Sequence, residues 1–135
     1  MRFIVMGMAT KEWETSGVSP KPEDFVAMQE YNEAAVKAGI LLAAEGLAPT
    51  SKGALVKITD GHTTVIDGPF TETKELVAGF SIIQVKSLKE AIEWVKAAPM
   101  WSPTGESVIE IRKLMDVEDF GEGFTPNEEI AKVKF

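Results

Sequence analysis

A chain of 135 residues with one histidine, no cysteine and a formal charge of −7 has room for one domain around one core. The absence of thiols excludes disulfides, a cysteine nucleophile and thiolate metal sites, and a single imidazole argues against histidine-rich zinc, iron or haem centres. The acidic balance argues against nucleic acid as a partner, because phosphate contacts need a basic surface.

Met1–Ala9 is apolar apart from Arg2. It is too short to span a membrane and lacks the basic start and cleavage site of a signal peptide. It reads as a first strand buried on both faces, and the expected location is the cytoplasm, away from membrane. Lys11 to Lys21 reads as a loop punctuated by Gly17, Pro20 and Pro22, with Trp13 folding back over the protein. Pro22-Glu23-Asp24 opens a helix whose face carries Ala27, Met28, Tyr31, Ala34, Ala35 and Ala38, and Gly39 ends it.

Ile40–Leu47 reads as a second strand containing Glu45. Lys52–Thr59 and Thr63–Ile66 flank Asp60-Gly61, a hairpin signal. Nine residues follow that break the pattern: Asp67-Gly68-Pro69-Phe70-Thr71-Glu72-Thr73-Lys74-Glu75. Gly68 frees the backbone, Pro69 fixes it, and Phe70 needs burial. Val77–Val85 reads as a further strand. Ser87-Leu88-Lys89-Glu90 is a capping box for a second helix that stops before Pro99. Met100–Glu106 is a loop with Trp101, and Ser107–Met115 is the last strand, with Glu110 and Arg112 opposite Ile109 and Ile111. Residues 116–135 form an acidic extension in which Thr125-Pro126 caps a short helix near 126–134.

The order is β-α-β, an inserted hairpin, then β-α-β in residues 1–115. That is an α+β fold of the split βαβ, ferredoxin-like kind, an antiparallel sheet with two helices on one face. The other face of such a sheet would be an exposed apolar patch. The expectation is therefore a homodimer, two sheets packed face to face, with a pocket between sheet and partner.

Candidate site residues fall into three groups. Asp67, Lys74 and Glu75 in the nine-residue motif are the leading catalytic candidates, as carboxylates and an ammonium able to hold a polar substrate or move a proton. The structural alternative has Asp67 capping its own turn and Lys74 paired with an acid. Glu110 and Arg112 face away from the helices, where arginine suits two-point contact with a carboxylate. Their alternative is an ion pair that fixes the dimer, and Glu45 is assigned to the same cleft. Trp13, Phe70, Trp94 and Trp101 are candidates for an apolar pocket lining. His62 reads as an exposed turn residue, and no glycine-rich loop supports a nucleotide, so neither cofactor nor metal is expected.

The chain resembles the YciI-related proteins of the DGPF type. The resemblance rests on the early Met-rich strand, Ala43-Ala44-Glu45-Gly46-Leu47, Lys52-Gly53-Ala54, Thr64 through Glu75, Ala91-Ile92-Glu93-Trp94 and Ile109-Glu110-Ile111-Arg112. It implies a dimeric α+β barrel rather than a particular reaction. A histidine–aspartate pair proposed for YciI-type relatives does not carry over, since His62 lies beside the hairpin turn. The association of some DGPF-type proteins with alternative sigma factors implies a regulatory role as a second reading. Leu55 stands where many relatives have a basic residue, and Lys113 where many have proline. Two functions stay open on this reading. One is a cofactor-independent binding protein or enzyme for an apolar or aromatic acid, with Arg112 or Lys74 holding the acid and Asp67, Glu75 or Glu110 moving protons. The other is a non-catalytic regulatory or partner-binding module.

Overall fold

Strand alternation on the first element sets the layering. β1 (Arg2–Ala9) sends Phe3, Val5 and Ala9 to one face, all buried, and Ile4, Met6 and Met8 to the other, half-buried. The computed structural model describes residues 1–70 and 76–121, the side chain of Lys11 apart. After β1 come α1 (Lys11–Thr15), α2 (Pro22–Lys37), β2 (Leu41–Gly46), a 3₁₀ turn at Thr50–Lys52, β3 (Ala54–Thr59) and β4 (His62–Asp67). β5 (Leu76–Gln84), α3 (Leu88–Lys96), β6 (Val108–Lys113) and a second 3₁₀ turn at Val117–Phe120 complete the described chain. The expected helix near 126–134 lies outside the described residues.

Four strands form one antiparallel sheet in the order β2-β5-β1-β6, while β3 and β4 form a separate two-stranded sheet. The core lies on the helix side. Phe3, Val5, Ile83, Val85 and Ala91 cluster there, with Ile40, Leu41, Trp94, Val95, Ile109 and Ile111 packed around them. α3 starts where the sequence reading put it: the Ser87 hydroxyl accepts from the Glu90 amide at 3.2 Å, and the Glu90 carboxylate accepts from the Lys86 amide at 3.0 Å. α2 begins with Pro22, and the Asp24 carboxylate accepts from the Lys21 amide at 2.8 Å. α2 is only shallowly bound, since Ala35 is its one buried residue and Phe25, Val26 and Val36 remain exposed.

The segment read as a loop after β1 contains a helix. The Thr10 hydroxyl accepts from the Trp13 amide at 3.1 Å and caps α1, whose first turn carries Glu12 and Glu14. This local cap outweighs the glycine and prolines farther along, which end the helix rather than prevent it. The hairpin turn is as the Asp60-Gly61 pair implies. Both residues have positive φ, 48° and 79°, the requirement of a two-residue type I′ turn. His62 is exposed but belongs to β4, paired with Thr59.

Lys113, at the end of β6, ties down the start of the C-terminal extension. Its ammonium lies 2.9 Å from Asp119 and 3.5 Å from Asp116, and Arg2 approaches Asp116 at 3.9 Å. The Asp119 carboxylate also accepts from the Asp116 amide at 2.7 Å. The Asp116 amide first, and then Lys113, hold Asp119 below its ordinary pKa; the Asp119 hydrogen bond raises that of Lys113. A lowered carboxylate contributes above its unfolded value, about 4, and that contribution goes as pH falls through the folded pKa. A raised ammonium contributes below its unfolded value, about 10.4, and that goes as pH rises through its folded pKa. The turn at Val117–Phe120 should therefore stay docked from mildly acidic to mildly alkaline pH and loosen below pH 4. Amide exchange of Val117–Phe120 measured against pH and salt checks this, and protection unchanged at pH 2.5 would contradict it.

Candidate functional site

The helix side of the sheet is not filled. A cavity of about 730 Å³ lies between sheet and helices, a size suited to a small molecule. Its origin is visible in the strand register. Gly7 pairs with Gly79 and Gly79 with Gly46, so three adjacent strands present no side chain along one line. Gly7 shares its face with Phe3 and Val5, which places that line on the helix side.

Aromatic groups supply the walls. Met28 and Tyr31 come from α2, Trp94 from α3, and Trp13 and Trp101 from α1 and the segment before β6. All three tryptophans of the chain line this one cavity. Trp13 meets Trp101 edge-on, with ring centroids 6.1 Å apart at 76°. The Tyr31 hydroxyl donates to the Trp94 carbonyl at 2.5 Å, and the two rings stand edge-on at 5.9 Å. This pair joins α2 to α3, and burial raises the Tyr31 pKa. The polar lining consists of Asp24, Asn32, Glu45 and Ser81, besides the Tyr31 hydroxyl, and no lysine, arginine or histidine is among the described lining residues. Glu45 sits at the margin, because alternation from Ala44 turns its side chain towards the opposite face of the sheet.

The nine-residue motif builds a second feature. Gly68 packs so closely on the first 3₁₀ turn that a Cβ there would lie 1.6 Å from the Thr50 carbonyl oxygen. Its amide donates to the Gly53 carbonyl at 3.0 Å, and the Gly68–Pro69 peptide is cis. The Phe70 amide donates to the Thr50 hydroxyl at 3.1 Å. That hydroxyl donates to Glu14 Oε2 at 2.8 Å, and the Thr50 amide donates to Glu14 Oε1 at 2.8 Å. Glu14 thus links α1, and with it the wall residue Trp13, to the base of the hairpin.

The open face of the sheet is the third feature. Register aligns Glu45, Phe80, Met6 and Glu110 in one row across all four strands, and Ala43, Ile82, Ile4 and Arg112 in the next. Glu45 and Glu110 are separated by two strands, about 14 Å at ordinary strand spacing, so they do not share one compact cleft. Glu110 and Arg112 are exposed, and no ion pair joins them to a described residue.

The residues expected to form one cleft therefore fall in three places. Trp13 belongs to the cavity, while Glu45 stands at its margin with its side chain turned to the open face. Asp67 and Phe70 stand at the hairpin base, where Asp67 is exposed and pairs with Ala54 in the β3–β4 ladder. Glu110 and Arg112 occupy the opposite face. Lys74 and Glu75 lie outside the described residues. Glu14, Thr50 and the row of glycines went unremarked in the sequence. The Glu14–Thr50 contact spans 36 residues and leaves no local signal, whereas the Thr10 cap could have revealed α1. Among the described residues, no group of three or more histidine, aspartate or glutamate side chains is placed to hold a metal ion.

The fold and these features meet a family model described as the YCII-related domain, which matches residues 1–118. The chain belongs to the YCII-related family. It is also 39% identical over 79 residues to an uncharacterized protein of Rhizobium meliloti (strain 1021), a match covering 58% of this chain and 63% of that protein. The chain thus spans about three fifths of the length of that curated relative. The family match takes in the cavity walls, the Gly68 turn and the open face together. Among the described residues, no helix is long and apolar enough to cross a membrane.

The Gly68 contact yields a direct test. Gly68→Ala should lower stability by about 3 kcal/mol, the upper part of the range for overpacking, because backbone rather than a flexible side chain must move. Chemical denaturation measures it, and a loss under 0.5 kcal/mol would show that the turn has room to adjust.

Proposed function

We propose that this protein is a homodimer of ferredoxin-like subunits, each of which binds one small apolar or aromatic molecule in the cavity between helices and sheet. The observation that carries the binding reading is the cavity of about 730 Å³ with all three tryptophans on its walls. The lining is largely apolar and open to solvent on one side, so a bound molecule gains by burying it. The Tyr31 hydroxyl is held by a carbonyl and titrates above its ordinary range, so it is poorly suited to proton transfer near neutral pH.

The strand order β2-β5-β1-β6 with both long helices on one side supports the ferredoxin-like assignment. Ile4, Met6, Met8 and Phe80 on the other side support a second copy as cover. We assign Glu110 and Arg112 to that interface rather than to the ligand, because they stand on the face away from the cavity. A partner-binding or regulatory role also has an observation in its favour. The β3–β4 hairpin exposes Val56, Ile58 and Val65 along one face, with Leu55 and Ile66 on the other.

Two measurements test these readings. Sedimentation at micromolar concentration should give twice the chain mass, and Met6→Glu should give a folded monomer by placing a charge in the interface; a monomeric wild type would remove the dimer. A thermal-shift screen of aromatic metabolites, followed by tryptophan fluorescence, should return a ligand that raises the melting temperature and perturbs emission in parallel. Arg112→Gln should leave that affinity within twofold. A tenfold loss in a variant that remains dimeric would return the ligand to the open face.

A further inference from the structure

We infer that the cavity selects a planar aromatic molecule of two or three fused rings that carries no negative charge, which lies flat on bare sheet backbone beneath the helices. This rests on the binding reading above and names the ligand class. The floor is the deciding feature. Gly7, Gly79 and Gly46 lie side by side on three adjacent strands, a span of about 10 Å at ordinary strand spacing. That matches the long dimension of a fused bicyclic or tricyclic ring. A flat ring can approach a backbone surface without side chains more closely than a bulky saturated ring can.

The glycines at two of these positions are not required by the fold of the strand. A Cβ at Gly7 would meet only the Gly79 carbonyl oxygen, at 3.9 Å, and a Cβ at Gly46 would meet nothing within 4 Å. Neither residue has a positive φ. Glycine inside a strand costs conformational entropy and forfeits packing, so larger residues here would stabilise an empty protein. Gly79 differs, since a Cβ there would lie 3.1 Å from the Glu45 carbonyl oxygen.

The walls disfavour negative charge. Edge-on pairs of Trp13 with Trp101 and of Tyr31 with Trp94 present aromatic surface to the void. The described lining has no cation to balance an acid, and the Asp24 carboxylate is already engaged at the start of α2. A ligand phenol or ketone could still bond to the polar atoms of Asn32 or Ser81.

Three probes with a common carbon skeleton separate these points: 2-naphthol, 2-naphthoate and decahydro-2-naphthol, titrated calorimetrically into the full chain at pH 7. We expect 2-naphthol to bind at least tenfold more tightly than either of the others. Gly7→Val and Gly46→Val should each keep or raise the melting temperature and weaken 2-naphthol at least tenfold. Using two variants guards against one failing to fold. Equal affinity for the flat and saturated alcohols, both lost in Gly7→Val, would keep the cavity as a binding site and overturn the planar selection. Tighter binding of 2-naphthoate would overturn the exclusion of negative charge. Folded glycine variants that bind as the wild type does would overturn the sheet floor as the site. Binding of none of the three would overturn this inference, and if the metabolite screen is also empty the binding reading falls with it.

Discussion

Phe3 and Val5 of β1, packed against Ile83 and Ala91, are the contact on which the remaining structure depends. β1 is hydrogen-bonded on both edges, to β5 and β6, and its helix-side residues anchor the core. The same alternation that buries Phe3 and Val5 turns Ile4, Met6 and Met8 to the other side. One strand thus creates both the core and the face that a second copy is proposed to cover. A one-residue slip would exchange these roles, so the pairing of β1 fixes the sheet as a whole.

The core is small because the middle of the sheet carries glycine where side chains would continue it. α3 lies close, with Ala91 completely buried, whereas α2 buries only Ala35. The space between is bridged by Tyr31 and Trp94 and bounded by the Trp13–Trp101 pair. On the proposed reading stability and binding compete here: Gly7 and Gly46 lower the first and provide room for the second, while Gly79 is also required by the close backbone of Glu45. Glu14 extends this economy beyond the cavity. By accepting two hydrogen bonds from Thr50 it ties a wall segment to the turn at Gly68, which itself touches the backbone of the same residue.

Much of this architecture was legible in the sequence. The capping box at Ser87, the proline start at Pro22 and the Asp60-Gly61 turn each depend on residues within four positions, and each occurs where the pattern indicated. An α+β arrangement with an antiparallel sheet also followed, because the β-α-β repeats leave few connections that are short and uncrossed. The short helix at Lys11–Thr15 was less legible, because Gly17 and Pro20 give the segment a loop composition while its signal is the single Thr10 cap. The candidate site was legible in part. Trp13 was correctly suspected of covering something, and the importance of Gly68 was plain, although its reason is a close approach to Thr50 rather than a free backbone.

What the sequence determined by itself was local and periodic: the elements, their faces, the family and the excess of apolar surface. These follow from spacing along the chain, which backbone geometry converts directly into sides of a strand or helix. Tertiary structure alone decided which distant residues meet. It aligned Gly7, Gly46 and Gly79 into one floor and brought three tryptophans from residues 13, 94 and 101 to one void. Register between strands distant in sequence has no local signature, because it arises from the packing of whole faces rather than from any short motif.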